Sequence, residues 1–381
     1  MRKVLAVTGY RSDYTKLKTV LKEIEACPDL ELEIVSFGAH ALGDYGNTIN
    51  MVKEDNHTIV DNILTNVEGN TTFAMSKSIG LAIIELSSLL SRSKPDIVLL
   101  CADRYETMAA AIAVSVNNIP IAHIQGGEVS GTIDEILRHS ITKLSHIHFP
   151  STELSKDRII QMGEHPDFVY NVGCPAIDYI KASTYLPLNE MGEDPYFGSL
   201  GLDFEKDYLI LLQHPVTTLS EDFNETLEAV QEIGLQTLMI YPNPDAGGEG
   251  IVKDERRFSK KYGKGSVIVG KYKNIPFDKY LNLLKHSRAL IGNSSSGIRE
   301  AYAFNVPVIN IGTRQQNRER SSNVVDARCN REAIVKAFNN YSNLSGEQDN
   351  LYGDGLASKR ISKILTEVNL EKSLEKLFHI L

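Results

Sequence analysis

Short runs rich in valine, isoleucine and leucine recur along the chain, each followed by a stretch with helical spacing. In the first half they are VLAVT (4–8), LEIVSF (32–37), DIVLLC (96–101), IPIAHI (119–124), HIHF (146–149) and FVYNV (168–172). In the second half they are DYLILL (207–212), QTLMIY (236–241), SVIV (266–269), ALIG (289–292), VPVINI (306–311) and NVVD (323–326). Apolar runs of this length are what strands covered on both faces look like. After the first run, Leu17, Val20, Leu21 and Ile24 fall at i, i+3, i+4 and i+7, the stripe of an amphipathic helix. Strands alternating with helices predict parallel sheets. The alternation breaks once, at YLPLNEMGEDPYFGSLGLDFEKD (185–207), a stretch rich in proline, glycine and acid. The pattern therefore predicts an α/β protein of two Rossmann-like domains with a central cleft.

Composition narrows the partners. The chain has 381 residues, enough for two cores, and a net charge of −9. An acidic balance argues against nucleic acid or a membrane surface, which want a basic face. The apolar run near the N-terminus, Val4 to Val7, is too short for a signal-peptide core. No unbroken apolar run approaches the roughly 18 residues of a membrane span. The four cysteines show no C-x-x-C spacing, so a reducing, cytoplasmic location is expected.

Ligands of such sheets sit beyond the carboxyl ends of the strands, so the residues there carry the chemistry. After the first strand, TGYRSDYTKL lacks the G-x-G-x-x-G of dinucleotide binding; Arg11 leaves the strand end, and Asp13 can cap the following helix. Arg11 is either a surface arginine or an anion contact. GKGSVIVGK (263–271) contains a Walker-like G-x-x-x-x-G-K, but Tyr272 stands where serine or threonine is needed and the interior reads as a strand. CADRYE places Asp103, Arg104 and Glu106 past a buried strand, and HIQGGEVSGTIDEILRHSITK places Glu128, Asp134, Glu135, Arg138 and His139 past the next. Position makes Asp103, Glu128 and Asp134 site candidates, with a charged rim as the plain alternative. His146 and His148 alternate along a strand without the spacing of a metal site. His214 ends a strand of the second half, as a structural residue or as a donor to an anion.

The stretch ALIGNSSSGIREAYAFNVPVINIG, Ala289 to Gly312, runs from a buried strand through three serines into a helical pattern. Amides that open a helix have no partner inside it and favour negative charge. Ser294, Ser295 and Ser296 add hydroxyls, Glu300 is an acceptor suited to ribose, and Arg314, Arg318 and Arg320 follow the next strand. These parts match a diphosphate with an attached ribose, or, more plainly, a capped helix.

The motifs TGYRSDYTKL, ADRYE, HIQGGEVSGTIDEILRHSITKLSH, LQHPVTT, YPNPDAG, IGNSSSGIRE, INIGTRQ and LYGDGLA occur in the order seen in hydrolysing UDP-N-acetylglucosamine 2-epimerases. The chain resembles that family over nearly its whole length, and is similar to the epimerase half of the bifunctional epimerase/N-acetylmannosamine kinase. The resemblance implies a glycosyltransferase-B type fold with a UDP-sugar substrate. It implies domains at 1–178 plus 366–381 and at 179–365, with VNLEKSLEKLFHIL (368–381) as a helix returning to the first domain on Leu370, Leu374 and Leu377. It carries UDP contacts onto Arg11, Thr15, Arg104, His214, Asn243, Ile275, Ser294, Ser295, Glu300 and Arg314, and catalytic roles onto Asp103, Glu128, Asp134 and His214. One position departs: Ala102 stands where the family has glycine, and alanine argues against a left-handed turn there.

The implied reaction turns UDP-N-acetylglucosamine and water into N-acetylmannosamine and UDP through elimination to a glycal and rehydration, in sialic-acid synthesis. It needs proton carriers and a seat for diphosphate, and no metal or other cofactor. A sister hydrolysing epimerase of UDP-2,4-diacetamido-2,4,6-trideoxyglucose and a non-hydrolysing epimerase are the rival readings. The resemblance also implies a homodimer or homotetramer.

Overall fold

The computed structural model describes residues 1–41, 49–69, 71–131, 133–216, 221–242, 248–341 and 350–380. The chain divides into two units: Met1–Glu128, Ile133–Lys181 and Asn350–Leu381 form the first, and Val129–Thr132 with Ala182–Asp349 the second. Each is built on a parallel six-stranded sheet.

In the first unit β1 (Arg2–Thr8), β2 (Leu30–Phe37), β3 (Ile59–Ile63), β4 (Ile97–Cys101), β5 (Ile121–Ile124) and β6 (Ile147–Phe149) lie in the order β3-β2-β1-β4-β5-β6. Alternate residues of β1 feed opposite faces. Val4 and Ala6 pack with Leu17, Val20, Leu21 and Ile24 of the helix Arg11–Glu25. Leu5 and Val7 pack with Leu86 and Leu90 of the helix Thr72–Ser93 and with Ala109 and Ala113 of the helix Tyr105–Val116. Two covered faces explain why these strands read as unbroken apolar runs. Strand β3 is absent from the apolar pattern because it is an edge strand carrying Asp61 and Asn62. Residues 168–172 contribute only a single bridge, Val169 to His148.

In the second unit β7 (Tyr208–Leu212), β8 (Gln236–Ile240), β9 (Ile268–Tyr272), β10 (Ala289–Gly292), β11 (Val308–Ile311) and β12 (Val324–Ala327) repeat the same topology, in the order β12-β11-β10-β7-β8-β9. Strand β9 runs through the Walker-like residues, and Lys271 pairs with the buried Glu255 at 2.5 Å, so that stretch is a strand and no phosphate loop.

The return onto the first unit differs from the expected one. It is carried by the helix Ala357–Glu367, whose Ile361 and Leu365 enter the core beside the helix Arg11–Glu25. The Asp178 carboxylate accepts from the amides of Ala357 and Ser358 at 3.1 and 2.6 Å, satisfying the start of that helix from outside it. The units therefore part at Lys181 and Asn350, where the sequence placed the breaks at 178/179 and 365/366. The helix expected over 368–381 shrinks to Leu370–Leu374, and Leu377 is 78% exposed. Of its leucine stripe, Leu370 packs half-buried against the core of the first unit, while Leu374 at the helix end and Leu377 beyond it stay exposed.

Candidate active site

In the first unit the strand ends present a fixed polar cluster. Past β1, the Asp13 carboxylate accepts from the amides of Gly9 and Tyr10 and from the Thr8 hydroxyl, at 2.9, 3.1 and 2.8 Å. It caps the helix Arg11–Glu25 as expected, from the third helical position, reaching back to the Tyr10 amide. The fully buried His40 shares the Thr8 hydroxyl at 2.8 Å. Arg11 opens this helix half-buried, and Thr15 lies buried one turn on. A Cβ at Gly9 would fall 2.7 Å from Cβ of Glu106, so glycine is what lets the helix Tyr105–Val116 approach β1. Glu106 accepts two bonds from Arg104, at 3.0 and 3.2 Å, and the guanidinium lies over the Tyr10 ring. Arg104 is therefore locked in place before any ligand arrives.

Ala102 takes φ +66, the left-handed turn that alanine argued against. Two hydrogen bonds hold it there: its amide donates to the Ile124 carbonyl at 3.0 Å, and its carbonyl accepts from His123 Nε2 at 2.8 Å. Tertiary contacts offset a cost of about 1 kcal/mol. The turn delivers Asp103 to Arg138, with which it forms an ion pair. Arg138, from the helix Ile133–Leu144, is fully buried and also donates to the Glu128 carbonyl at 2.8 Å. Burial opposes its charge, but Asp103, Glu128 and Asp134 outweigh that and hold its pKa above the ordinary value. Asp103 thus pairs with the guanidinium, Glu128 meets it through its backbone carbonyl, and the charges of Glu128 and Asp134 act on it from the loop after β5 and a helix start. Glu135 and His139, also spaced i, i+4, pair at 3.7 Å on a more open face.

In the second unit, Asn293 ties three strand ends together. Its side chain accepts from the His214 amide at 2.6 Å and donates to the His214 carbonyl at 2.9 Å. Its carbonyl accepts from Arg314 at 3.1 Å and from Gln315 at 3.0 Å. Gly292 makes this closeness possible, with φ +145 and a would-be Cβ 1.9 Å from the Leu212 carbonyl oxygen. Ser294 caps the short helix Ser295–Ile298 by accepting from the Ser296 amide at 3.3 Å, and Ser295 is the first helical residue. The Ser296 hydroxyl is taken by Tyr280 at 2.5 Å. Glu300 is buried with Oε2 lacking a hydrogen-bond partner among the described residues, an acceptor waiting for a donor. Arg318 is buried on Gln315 and Arg320 is paired with Asp326, leaving Arg314 as the arginine beside the serine run. Ile275 is buried ahead of the helix Phe277–His286, and Asn243 lies outside the described residues.

The model of the UDP-N-acetylglucosamine 2-epimerase family matches residues 22–366. The chain belongs to that family. It is similar to a hydrolysing UDP-N,N'-diacetylbacillosamine 2-epimerase of Legionella pneumophila, at 37% identity over 98% of each chain. It is also similar to a UDP-N-acetylglucosamine 2-epimerase of Neisseria meningitidis, at 35% identity over 93% of this chain and 92% of that one. Among solved structures, a UDP-N-acetylglucosamine 2-epimerase from N. meningitidis bound to UDP-N-acetylglucosamine matches with a TM-score of 0.80 at 18% identity, covering 96% of this chain and all of that one. The two Rossmann-like domains of glycosyltransferase-B type expected from the sequence are the fold of this epimerase family.

Two features beside the candidate residues were not foreseen. Arg138 was placed past a strand among the charged residues but given no part in the candidate site. Gln125, just past β5, is fully buried at φ +64, with Oε1 lacking a hydrogen-bond partner among the described residues. A glutamine next to two glycines was the available signal.

Two histidines of the first unit, the buried His123 and the half-buried His146, are expected to make it acid-labile. Burial pushes His123 and His146 down to about 4. The unfolded chain takes up these protons near pH 6.5, so the stability they contribute is complete above that and is lost as pH falls toward 4. The expected loss is on the order of 3 kcal/mol for His123 and less for the half-buried His146. Urea midpoints at pH 7 and pH 4.5 check this; equal midpoints would contradict it.

Proposed function

We propose that the chain is a hydrolysing 2-epimerase that converts UDP-N-acetylglucosamine and water into N-acetylmannosamine and UDP. The observation that carries this reading is the gathering of Asp103, Glu128 and Asp134 around Arg138. Acids placed about a buried cation, with Asp103 paired to it, suit the role of proton carriers. Binding a UDP-sugar without turnover would not need them.

In the first half-reaction the sugar's C2 loses its proton, the C1–O bond to UDP breaks, and the electron pair leaves with UDP. A 2-acetamidoglucal with a C1=C2 bond remains. Water then supplies hydroxyl to C1, and a proton is added to C2 from the opposite face. Glu128 is assigned the elimination, and Asp103 and Asp134 the rehydration. Departing diphosphate is assigned to Ser294, Ser295, Arg314 and His214, and Arg11, Thr15 and Arg104 are assigned as further UDP contacts. Donors fixed before the charge develops cost nothing to reorganise. The Oε2 of Glu300, which lacks a hydrogen-bond partner among the described residues, suits a ribose hydroxyl, and Asn243 and Ile275 complete the assigned nucleotide contacts.

Products identified by NMR after incubation with UDP-N-acetylglucosamine test this. Equimolar UDP and free N-acetylmannosamine are expected; UDP-N-acetylmannosamine as product would make the enzyme non-hydrolysing. Ser294→Ala is expected to weaken UDP binding about tenfold, the worth of one hydrogen bond to a charged group. Unchanged affinity by calorimetry would return the serine run to a plain helix cap.

A second reading keeps the reaction and changes the sugar. The L. pneumophila relative and a Campylobacter jejuni relative, 31% identical over 99% of this chain, are both named as N,N'-diacetylbacillosamine epimerases. That substrate differs from UDP-N-acetylglucosamine at C4 and C6. The ratio of kcat/KM on the two UDP-sugars decides between them.

A further inference from the structure

Past the helix Leu370–Leu374 the chain buries little apolar surface: Leu377, Phe378 and Ile380 are all exposed. Polar anchors hold this segment instead. Lys376 buries most of its side chain, donating to the Ser145 carbonyl and to Glu164 Oε2. The His379 amide donates to the Gly163 carbonyl at 2.9 Å. The Phe378 ring lies against Gly163, with Lys143 Nζ 5.3 Å from the ring centre. Glu164, itself buried, is the centre of these contacts. It accepts from His148 Nε2 at 3.0 Å, from Lys143 at 2.5 Å and from Lys376 at 2.5 Å. Burial opposes its charge, but His148, Lys376 and Lys143 outweigh burial and hold its pKa at about 2.

The contacts close on one helix, Ile133–Leu144. Lys143 stands in its last turn and also donates to the Met162 carbonyl at 3.1 Å. Ser145 follows its end, with the hydroxyl donating to the Ile141 carbonyl at 2.7 Å. Carbonyls at a helix end lack partners within the helix and favour cations beside them, which Lys143 and Lys376 supply. The same helix carries Asp134 and Arg138. Its Thr142 hydroxyl lies 3.4 Å from Nδ1 of His123, the ring that holds the Ala102 turn. Only about 7.5 Å of helix separates Lys143 from Arg138 along the axis.

We propose that Lys376 is a positioning residue for the acid cluster, the anchor of a C-terminal strap that fixes the helix Ile133–Leu144 through Ser145 and Glu164. The role rests on the epimerase reading, in which Asp103, Glu128 and Asp134 move protons. A helix that slid by about 1 Å would carry Arg138 away from Asp103 and the Glu128 carbonyl, and misplacement of that size can cost a reaction about 100-fold. The strap touches none of these acids. It acts on them through the helix alone.

Lys376→Met in the full chain tests the proposal by hydrogen exchange and by kinetics. Amides of residues 133–144 are expected to exchange about tenfold faster, while those of the helix Arg11–Glu25 in the same unit keep their rates. UDP release is expected to lose about tenfold in kcat, with UDP affinity unchanged because no UDP contact is assigned to the strap or to this helix. Lys376→Arg keeps the cation and should restore most of both. Leu377→Ala, on the exposed side of the segment, should change neither. Unchanged exchange over residues 133–144 in Lys376→Met would overturn the strap. Faster exchange with ordinary kcat would overturn the positioning role and leave the lysine a structural contact. An unaltered protein that releases no UDP would count against the epimerase reading, and the exchange rates would still decide on the strap.

Discussion

Arg138→Met is expected to destabilise the first unit by about 3–5 kcal/mol and to abolish measurable turnover. The guanidinium is fully buried, pairs with Asp103 and holds the Glu128 carbonyl, and Asp134 lies one turn away on the same helix. Methionine keeps much of the volume and removes the charge. The acids would then repel one another with nothing between them, and at least one would be driven to take up a proton. Arg138→Lys separates charge from geometry. It keeps the cation but cannot serve Asp103 and the Glu128 carbonyl with one planar fork. It should recover much of the urea stability and little of kcat. A methionine variant with ordinary turnover would remove Arg138 from the account.

Glu128→Gln is expected to lower UDP release by about 10²–10⁴-fold, the range for loss of a positioned proton carrier. The change is nearly isosteric, and the bond from Arg138 goes to the Glu128 backbone carbonyl, which the substitution retains. Stability and UDP affinity should therefore stay close to those of the unaltered enzyme, placing the loss in kcat. Initial rates of UDP release, with UDP affinity measured in parallel, check this. Near-ordinary rates would move the elimination step to Asp103 or Asp134; equal losses in affinity and rate would make Glu128 a binding residue.

Much of the architecture was legible because parallel strands covered on both faces leave unbroken apolar runs, as in β4, β7 and β10. The edge strand β3 was not, since Asp61 and Asn62 interrupt it. The C-terminal leucine stripe was legible only in part: Leu370 reaches the core of the first unit, but the helix ends at Leu374 and leaves Leu377 exposed. The candidate acids were legible from their places after β4 and β5. The burial of Arg138 was not: it follows from tertiary contacts, among them its pair with Asp103 past the turn at Ala102 and its bond to the Glu128 carbonyl. The same holds at Ala102 itself. Local preference argued against a left-handed residue, and hydrogen bonds from β5 overrode it. In the serine run, the Ser296 hydroxyl is engaged by Tyr280, from a helix the local sequence does not connect to it.

The central claim is that C2 of the sugar gives up its proton and receives another from solvent on the opposite face. Incubation with UDP-N-acetylglucosamine in heavy water, followed by NMR and mass spectrometry of the free sugar, tests it directly. The account predicts N-acetylmannosamine carrying one deuterium at C2, released with one equivalent of UDP. Release of UDP with free N-acetylglucosamine that keeps its original C2 proton would contradict it.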